Sequence, residues 1–434
     1  MLLATLSLCV LAAAPQDPLL KPVDQQKISQ KLGEYIDARQ AGDAKKQEKA
    51  IDAFRKEFDK LGKKLNNGLG LLSSPPDLEA ILQGAGTWAK GEAGPGKVST
   101  GKSEGQPAWA SWASWAPKTY DPKDVTYPVL LWVLPNGINP REWLTNHSAA
   151  SPLAETHAMV AIAVPKPADG DATKAVMGIA LRGALTMFRA DHNRIVLGSE
   201  GESCSLAVEL ANRFPHRFAG IVFNGPSGAI PECRNLSGVP CYVAGNAEEW
   251  SKALGEAKAA LVSGESDAGK IAEWVGAQKR SPYPTEINFY PAHNSSRQSF
   301  WVRVVPEWSI GANNQILLDA DKRPSVEVKV ERDKNRITAK VARVERIEFL
   351  LNDAIVDLEK PITIEVNGKV TEVQKKRDLA FVIDQFERSG DRGCAFCAAF
   401  LLSEIPKSES EKAAAEEAKK TDADGEKKSA ENGK

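Results

Sequence analysis

Residues 195–205 of the chain read Ile195-Val196-Leu197-Gly198-Ser199-Glu200-Gly201-Glu202-Ser203-Cys204-Ser205. The stretch opens with a run of apolar residues, which predicts a short buried strand. Small residues and two glycines follow, and they indicate a tight turn. Residues 206–213 then carry apolar side chains at helical spacing. The stretch therefore predicts a strand, a sharp turn and a helix in immediate succession.

The residues on either side extend this unit into a repeated pattern of apolar strands and helices. Strands are predicted at 129–133, 159–164, 195–197, 221–223 and 241–244, and helices at 171–190 and 206–213. Because the strands are apolar throughout and alternate with helices, the pattern predicts a mostly parallel sheet covered on both faces. We assign this α/β domain to residues 105–282.

Two further regions and a tail flank the α/β domain. Two amphipathic runs within 24–66, with Asp43 as a predicted N-cap between them, predict a helical hairpin in a region spanning 24–90. Residues 84–106 are rich in Gly, Lys and Ser and predict a loop. After Pro282 the apolar period becomes two, and Asn367-Gly368 is a hairpin signal, so 283–404 predict a β-rich, sandwich-like domain. Residues 406–434 hold no Val, Ile, Leu or aromatic residue, so the tail 405–434 is predicted to be disordered.

The composition argues against several classes of protein. The 56 basic and 57 acidic residues nearly balance, and no basic stripe with interleaved aromatic residues occurs, so nucleic acid is not a predicted partner. No apolar run is long enough to span a bilayer. The five histidines lack metal-ligand spacing, and the C-x-x-C of Cys394 and Cys397 has no second pair, so neither a metal nor a cofactor is predicted. Cys233 and Cys241 flank a turn and are candidates for a disulfide in an oxidising compartment.

The first residues resemble a targeting segment. Residues 1–14 are mostly apolar and end in Ala12-Ala13-Ala14, which is similar to the apolar region and small-residue cleavage site of a secretory signal peptide. We therefore predict export to the periplasm or the extracellular space. The sequence does not identify the ligand or protein partner.

Several motifs in the α/β region share features of one protein family. They are Tyr120-Asp121-Pro122-Lys123, Asn193-Arg194-Ile195-Val196-Leu197, Pro215-His216-Arg217-Phe218-Ala219-Gly220 and Val239-Pro240-Cys241-Tyr242-Val243. With the junction Arg280-Ser281-Pro282-Tyr283-Pro284, they resemble secreted bacterial esterase-like α/β-hydrolases, which are similar to polyhydroxybutyrate depolymerases and prolyl-oligopeptidase-type domains. The resemblance implies an α/β-hydrolase fold and the chemistry of a serine hydrolase.

The resemblance implies a nucleophile elbow, G-x-S-x-G, within the opening stretch. Counting back from Pro215 and counting forward from Asn193 both put Gly201 where the family has its serine. Ser199 and Ser203 then occupy the two flanking glycine positions. In an alternative register, slipped by two residues, Ser203 is the nucleophile of a G-x-S-x-S motif.

The remaining catalytic positions also depart from the family pattern. A serine nucleophile needs a histidine base that a carboxylate orients. The family's acid position falls on Glu248, which supplies a carboxylate. The family's histidine is expected before the helix that contains Trp274, but no histidine occurs between His216 and His293. His293 is the remaining candidate base, in a loop beyond the junction.

The loop that forms the oxyanion hole in the family reads Pro135-Asn136-Gly137 here, and Pro135 has no N–H to donate. Nucleophile, base and oxyanion loop thus all deviate. Our first hypothesis is a pseudoenzyme, an exported non-catalytic binding or structural module. The alternative is a serine hydrolase of carboxylic ester or peptide bonds that uses Ser203, Glu248 and His293.

Overall fold

The structure is a computed structural model that describes residues 17–65, 69–86, 95–101, 111–121, 123, 126–135, 137–150, 157–163, 185, 188–291, 296–306, 324–409 and 411–412. The predicted signal peptide at 1–14 lies outside the described residues. So does nearly all of the predicted helix at 171–190, although its last residue, Ala190, begins a strand.

Three helices open the described chain: α1 (Pro22–Gln40), α2 (Ala44–Gly62) and α3 (Pro75–Gly84). The first two form the predicted hairpin, and Asp43 caps α2 by accepting the Lys46 N–H at 3.0 Å. The hairpin is part of the molecule's core, because its apolar face packs with residues near the chain's C-terminal end. The Tyr35 hydroxyl also donates to the Glu387 carboxylate at 2.6 Å.

An eight-stranded sheet follows. Its strands are β1 (Val98–Gly101), β2 (Ser111–Trp115), β3 (Tyr127–Leu134), β4 (Ala158–Ala163), β5 (Ala190–Glu200), β6 (Gly220–Asn224), β7 (Pro240–Ala244) and β8 (Ala260–Gly264). Their order is β1-β2-β4-β3-β5-β6-β7-β8. β2 runs antiparallel to β1 and β4, and the other pairs are parallel, so the predicted mostly parallel sheet is confirmed.

The sequence prediction missed two edge strands of this sheet. β1 lies in the segment that predicts a loop, and β8 was not predicted at all. Both are short strands at the ends of the sheet. An edge strand buries little side-chain area, so it carries no long apolar run for pattern analysis to detect.

Helices cover both faces of the sheet. α5 (Cys204–Arg213) and α6 (Glu248–Glu256) pack on one face, and α4 (Pro140–Ala150) and α7 (Ala268–Ala277) pack on the other. This three-layer arrangement explains why β3 is buried along its whole length.

The C-terminal region is a sandwich of two sheets around one core, as predicted. One sheet has the order β10-β11-β14-β17 and the other β16-β15-β13-β12-β9. The strands are β9 (Glu286–Phe289), β10 (Gln298–Ser299), β11 (Val302–Pro306), β12 (Ser325–Glu331), β13 (Arg336–Ala342), β14 (Val344–Leu351), β15 (Ile362–Val366), β16 (Lys369–Val373) and β17 (Ala398–Leu402), with α8 (Leu379–Ser389) before the last. Asn367 and Gly368 both have positive φ in the β15–β16 turn, which is the predicted tight hairpin.

One local prediction is wrong. Cys233 and Cys241 are free thiols, both buried, and no disulfide joins them. At the start of the predicted tail, Ile405 packs on the sandwich core, and Glu411 accepts the Arg343 N–H at 3.0 Å. Residues 413–434 lie outside the described part.

A buried ion pair joins the α/β domain to the sandwich region. Both η nitrogens of Arg280, in the junction after α7, donate to the Asp391 carboxylate at 2.9 Å, and both side chains are 2% exposed. Arg280 also donates from Nε to Asn193 at 3.0 Å, at the start of β5. His192 accepts the Arg392 N–H at 3.2 Å, and burial lowers the pKa of its imidazole, which favours the neutral acceptor form.

Glu79 on α3 makes the stability of this junction depend on pH. Burial raises the pKa of its carboxyl to about 7, despite the neighbouring Tyr283 hydroxyl and Arg280. Since the ordinary value is 4.5, the folded state holds this proton between pH 4.5 and 7. The free energy of unfolding is therefore highest below pH 4.5. It falls by at most about 3 kcal/mol as the pH rises from 4.5 through 7, because the buried carboxyl must then lose its proton.

We expect Glu79→Gln to flatten this part of the pH dependence, because the amide does not titrate. Melting temperatures of wild type and variant should converge at the acidic end and separate toward pH 7, with the variant higher. Glu34→Gln, which removes an exposed carboxylate paired with Lys31, is the matched control and should leave the slope unchanged. Parallel curves for Glu79→Gln and wild type would contradict the assignment.

Candidate functional site at the carboxyl edge of the sheet

The turn after β5 lies at the edge where the parallel strands of the sheet end. Gly201 follows the last residue of β5 directly and has φ +56°, so the chain reverses sharply there. A single 3₁₀ turn, Gly201–Ser203, leads into α5. This is the strand, turn and helix that the opening stretch predicts, and its sharpest point is Gly201.

Ser203 points into the protein from this turn. Its side chain is 2% exposed, and its Oγ lies 2.7 Å from the carbonyl oxygens of both Val133 and Glu200. The Glu200 N–H donates to the same oxygen at 3.2 Å. The hydroxyl thus joins the turn to the end of β3. This geometry favours a structural role, and the nucleophile assignment of Ser203 stays a prediction.

Ser199, the other serine beside the apex, is fully buried. Its hydroxyl donates to the Val222 carbonyl oxygen on β6 at 3.0 Å and lies 3.3 Å from the Cys204 sulfur. Burial raises the pKa of the Cys204 thiol to about 12, so this sulfur stays protonated. Neither group presents a reactive atom to solvent.

The apex itself has room for a side chain. A Cβ built on Gly201 would lie 3.9 Å from Pro135 Cγ and 4.0 Å from Ser227 Oγ, which are ordinary contact distances. Ser227 follows β6 and was not singled out from the sequence. Its N–H donates to the Gly201 carbonyl oxygen at 3.2 Å. The only sequence signal for it is its position in a Gly-containing turn after an apolar strand.

Strand order and elbow together decide the fold. The sheet has one antiparallel strand, β2, between β1 and β4, and the rest run parallel with the sharp turn after β5. The domain has the α/β-hydrolase fold. The fold that the sequence motifs imply is therefore found in the structure.

Solved structures with this fold are similar to the chain at low identity. One is a thermostable esterase, at 16% identity and a TM-score of 0.34, covering 42% of this chain and 63% of that one. A hormone-sensitive lipase from a metagenome library matches at 13% identity, with a TM-score of 0.32, over 52% of this chain and 98% of the lipase. Esterase 2 of Thermogutta terrifontis matches at 14% identity, with a TM-score of 0.29, over 39% and 82% of the two chains.

The match spans less than two thirds of the thermostable esterase. No protein-family model and no curated protein matches the sequence.

The acid position of an α/β-hydrolase falls after β7. Glu248 is the first residue of α6 and is exposed. The preceding Gly245 has φ +87°, and a Cβ added there would lie 3.2 Å from Ser266 Oγ, so the loops after β7 and β8 touch. Glu248 is at the same edge of the sheet as Gly201, as predicted from sequence, and its role as an acid stays a prediction.

The base position falls between β8 and α7, where the chain reads Glu265-Ser266-Asp267. All three residues are exposed, and Asp267 caps α7 by accepting the Lys270 N–H at 2.9 Å. The loop therefore offers hydroxyl and carboxylate groups where the fold places an imidazole. His293, the sequence candidate for the base, lies outside the described residues.

The three histidine side chains that the structure describes all lie at the opposite edge of the sheet. His157 precedes β4, His192 is the third residue of β5, and His216 precedes β6. Nine residues of extended chain separate His192 from Gly201, which is roughly 30 Å. All three are buried, and burial lowers the pKa of His216 to about 3. None of the three can reach the elbow.

The oxyanion loop follows β3 at the same edge as the elbow. Pro135 is partly buried, and its ring would face a side chain at Gly201. Gly137 has φ +83° and is exposed, while Asn136 lies outside the described residues.

The described residues contain no group of three or more His, Cys, Asp or Glu side chains placed to hold a metal ion. No helix among them has the length and apolar character needed to cross a membrane.

Proposed function

We propose that this chain is an exported, non-catalytic member of the α/β-hydrolase fold that serves as a binding or structural module. One observation carries the proposal: glycine occupies the apex of the elbow, and the serine that follows it on the turn, Ser203, is buried with its Oγ 2.7 Å from the carbonyl oxygens of both Val133 and Glu200. A hydroxyl buried in this way has no access to substrate, and none of the histidine side chains within the described residues lies beside it.

The base position supports the same conclusion. The fold relies on a histidine after β8, and this chain has exposed Glu, Ser and Asp there. An imidazole takes the serine proton on one ring nitrogen and donates the N–H of the other to the carboxylate that orients it. A carboxylate or hydroxyl at that position offers no N–H for this second contact.

The carboxyl edge retains features of a binding surface. Gly137, Gly201, Gly225 and Gly245 all have positive φ there, and a Cβ added to Gly137 or Gly225 would meet no atom within 4 Å. Backbone groups at this edge are therefore not covered by their own side chains. Since ligands of open α/β sheets bind outside the carboxyl ends of the strands, we place the binding surface for the unidentified ligand or protein partner here.

Labelling with a fluorophosphonate probe tests the proposal against the serine hydrolase alternative. We expect no labelling of the purified full chain and no hydrolysis of short-chain esters, alongside an active serine hydrolase as positive control. Labelling that disappears in Ser203→Ala would overturn the proposal and establish Ser203 as the nucleophile.

The variant must be shown to be folded, because Ser203→Ala removes the oxygen that lies within hydrogen-bond distance of the Val133 and Glu200 carbonyls and accepts the Glu200 N–H. We expect it to lower the free energy of unfolding by about 1–3 kcal/mol. Ser251→Ala removes a hydroxyl with only a long contact of 3.4 Å to Ser263, so it is the matched control and should change stability by less than about 0.5 kcal/mol.

A further inference from the structure

The helical region and the C-terminal sandwich share a cavity of about 410 Å³. Leu19 and Leu69 line it from the helical region, and Arg332 and Val356 line it from two turns of the sandwich. This volume is typical of a site for a small organic molecule. Leu69 also lines a second cavity of about 460 Å³, so the apolar surface continues beyond it.

Two surface leucines form an apolar wall of the cavity. Leu19 is 36% exposed and Leu69 is 43% exposed. Leu19 is held in place because the fully buried Asp77 carboxylate accepts its N–H at 2.6 Å. Leu69 is held by the chain that follows it, since Leu71 is buried in the core of the helical region. Apolar side chains fixed in contact with water favour an apolar ligand, which would bury them.

Arg332 also has a fixed position in the cavity. It begins the turn between β12 and β13. Asn335 ends this turn with φ +49° and ties it to the neighbouring loop, because its amide donates to the carbonyl oxygens of Asp357 and Pro361 at 2.9 Å. The Arg332 guanidinium donates from Nη2 to the Asp353 carbonyl oxygen at 3.0 Å. The charged group is therefore positioned before any ligand binds.

Within the described part of the chain, Arg332 forms no ion pair, although two carboxylates line the same cavity. Asp353 accepts hydrogen bonds on its two oxygens from Arg377, at 2.8 and 2.6 Å. Asp357 pairs with Lys360 at 2.7 Å. Burial lowers the pKa of Arg332, because its positive charge has lost contact with water. Each acid of the wall thus has its own cation, and Arg332 has no counter-ion.

We propose that this cavity binds a fatty-acid anion, with the carboxylate on Arg332 and the alkyl chain along Leu19 and Leu69. A guanidinium presents its N–H groups as a planar fork, which matches the two oxygens of a carboxylate. One carboxylate supplies the single negative charge that Arg332 lacks. A doubly charged phosphate head fits less well, because Asp353 and Asp357 lie in the same wall.

This site does not rest on the proposed function, since it uses no residue of the elbow or of the carboxyl edge of the sheet. It joins residues of the helical region to residues of the sandwich. A ligand bound between the two regions stabilises the folded chain, so binding should raise the melting temperature.

Isothermal titration calorimetry of the purified, delipidated full chain with sodium decanoate, below its micelle concentration, tests the proposal. We expect saturable binding at a single site and a melting temperature that rises with decanoate concentration. Octanoate should bind about tenfold more weakly, because two fewer methylene groups are buried. Decanol, which has no charge, and decyl phosphate should each bind at least about tenfold more weakly than decanoate.

Two variants remove the two parts of the site separately. Arg332→Gln removes the charge and should weaken decanoate binding by at least about tenfold, while decanol binding stays unchanged. Leu69→Glu puts a carboxylate into the apolar wall and should abolish decanoate binding. Arg346→Gln on β14 and Leu401→Glu on β17 make the same changes at exposed residues elsewhere and should bind decanoate as wild type does.

Melting temperatures without ligand show whether each variant is folded. If Arg332→Gln does not fold, the comparison of decanoate with decanol on the wild type still tests the role of the charge. The proposal is overturned by a wild type that shows no saturable decanoate binding, or that binds decanol or decyl phosphate as tightly as decanoate. Folded Arg332→Gln and Leu69→Glu variants that bind decanoate as wild type does would also overturn it.

Discussion

Asp391→Ala is expected to lower the free energy of unfolding by about 3–5 kcal/mol, enough to leave much of the chain unfolded at ordinary temperature. Asp391 is 2% exposed and accepts two hydrogen bonds from Arg280 and one from the Gly393 N–H, each at 2.9 Å. Arg217 approaches the same carboxylate at 3.3 Å. Removing the carboxylate leaves the buried Arg280 guanidinium and the partly buried Arg217 guanidinium without their common counter-ion.

The size of this effect follows from burial rather than from the number of contacts. A buried charge that loses its partner keeps its desolvation cost and has no attraction to offset it. The nearby guanidinium groups hold the pKa of Asp391 well below its usual range, against the effect of burial, so the carboxylate is charged in the folded protein. Stability from this group is therefore fully present above the ordinary carboxyl value of 3.8 and is lost as the pH falls from that value through the depressed pKa of the folded state.

Urea unfolding followed by circular dichroism measures the change. Asp384→Ala is the matched control, because Asp384 forms an exposed ion pair with Arg388 on α8 at 2.9 Å. Asp384→Ala should lower the free energy of unfolding by less than about 0.5 kcal/mol. Equal effects of the two substitutions would show that the Asp391 cluster does not join the two regions as described.

Gly198→Ala is the second substitution with a large expected effect. We expect it to lower the free energy of unfolding by about 3 kcal/mol. Gly198 lies on β5 beside Trp132 of β3, and a Cβ added there would fall 2.0 Å from Trp132 Cε3. The indole cannot easily move away, because its other neighbour is the stacked ring of Trp143, at 5.4 Å between centroids. The new methyl group must therefore distort either the sheet or this aromatic pair.

Gly276→Ala is the control for this prediction, since a Cβ added to this glycine of α7 meets no atom within 4 Å. It should stabilise the protein by up to about 1 kcal/mol through helix propensity. Thermal melts of the two variants should therefore shift in opposite directions. A Gly198→Ala variant as stable as wild type would mean that Trp132 repacks freely.

Much of the fold could be predicted from sequence because interior strands and amphipathic helices leave periodic patterns. The apolar runs at 129–133 and 221–223 lie in β3 and β6, and the period of two after residue 282 gives the sandwich. The prediction failed where structure depends on partners distant in sequence. β5 begins at Ala190, five residues before its apolar run, because His192 and Asn193 are buried against Arg392 and Arg280.

The candidate site, like the fold, could be predicted from the sequence only in part. Sequence register identified Gly201 and the missing histidine after β8, since the chain order of an α/β-hydrolase is fixed. It did not find Ser227 or the contact between the loops after β7 and β8, because these residues meet only when parallel strands end side by side.

The sequence by itself predicted a sharp turn after the apolar run of 195–197, because that depends on neighbouring residues. Register with the family put Gly201 at the apex and left the slipped register at Ser203 open. It left open whether the Ser203 hydroxyl faces solvent. Only the tertiary structure decided this, since the Val133 carbonyl that accepts the hydroxyl belongs to a strand 70 residues away in the chain. A serine's chemistry depends on what surrounds its oxygen, and those surroundings are assembled by packing β3 against β5.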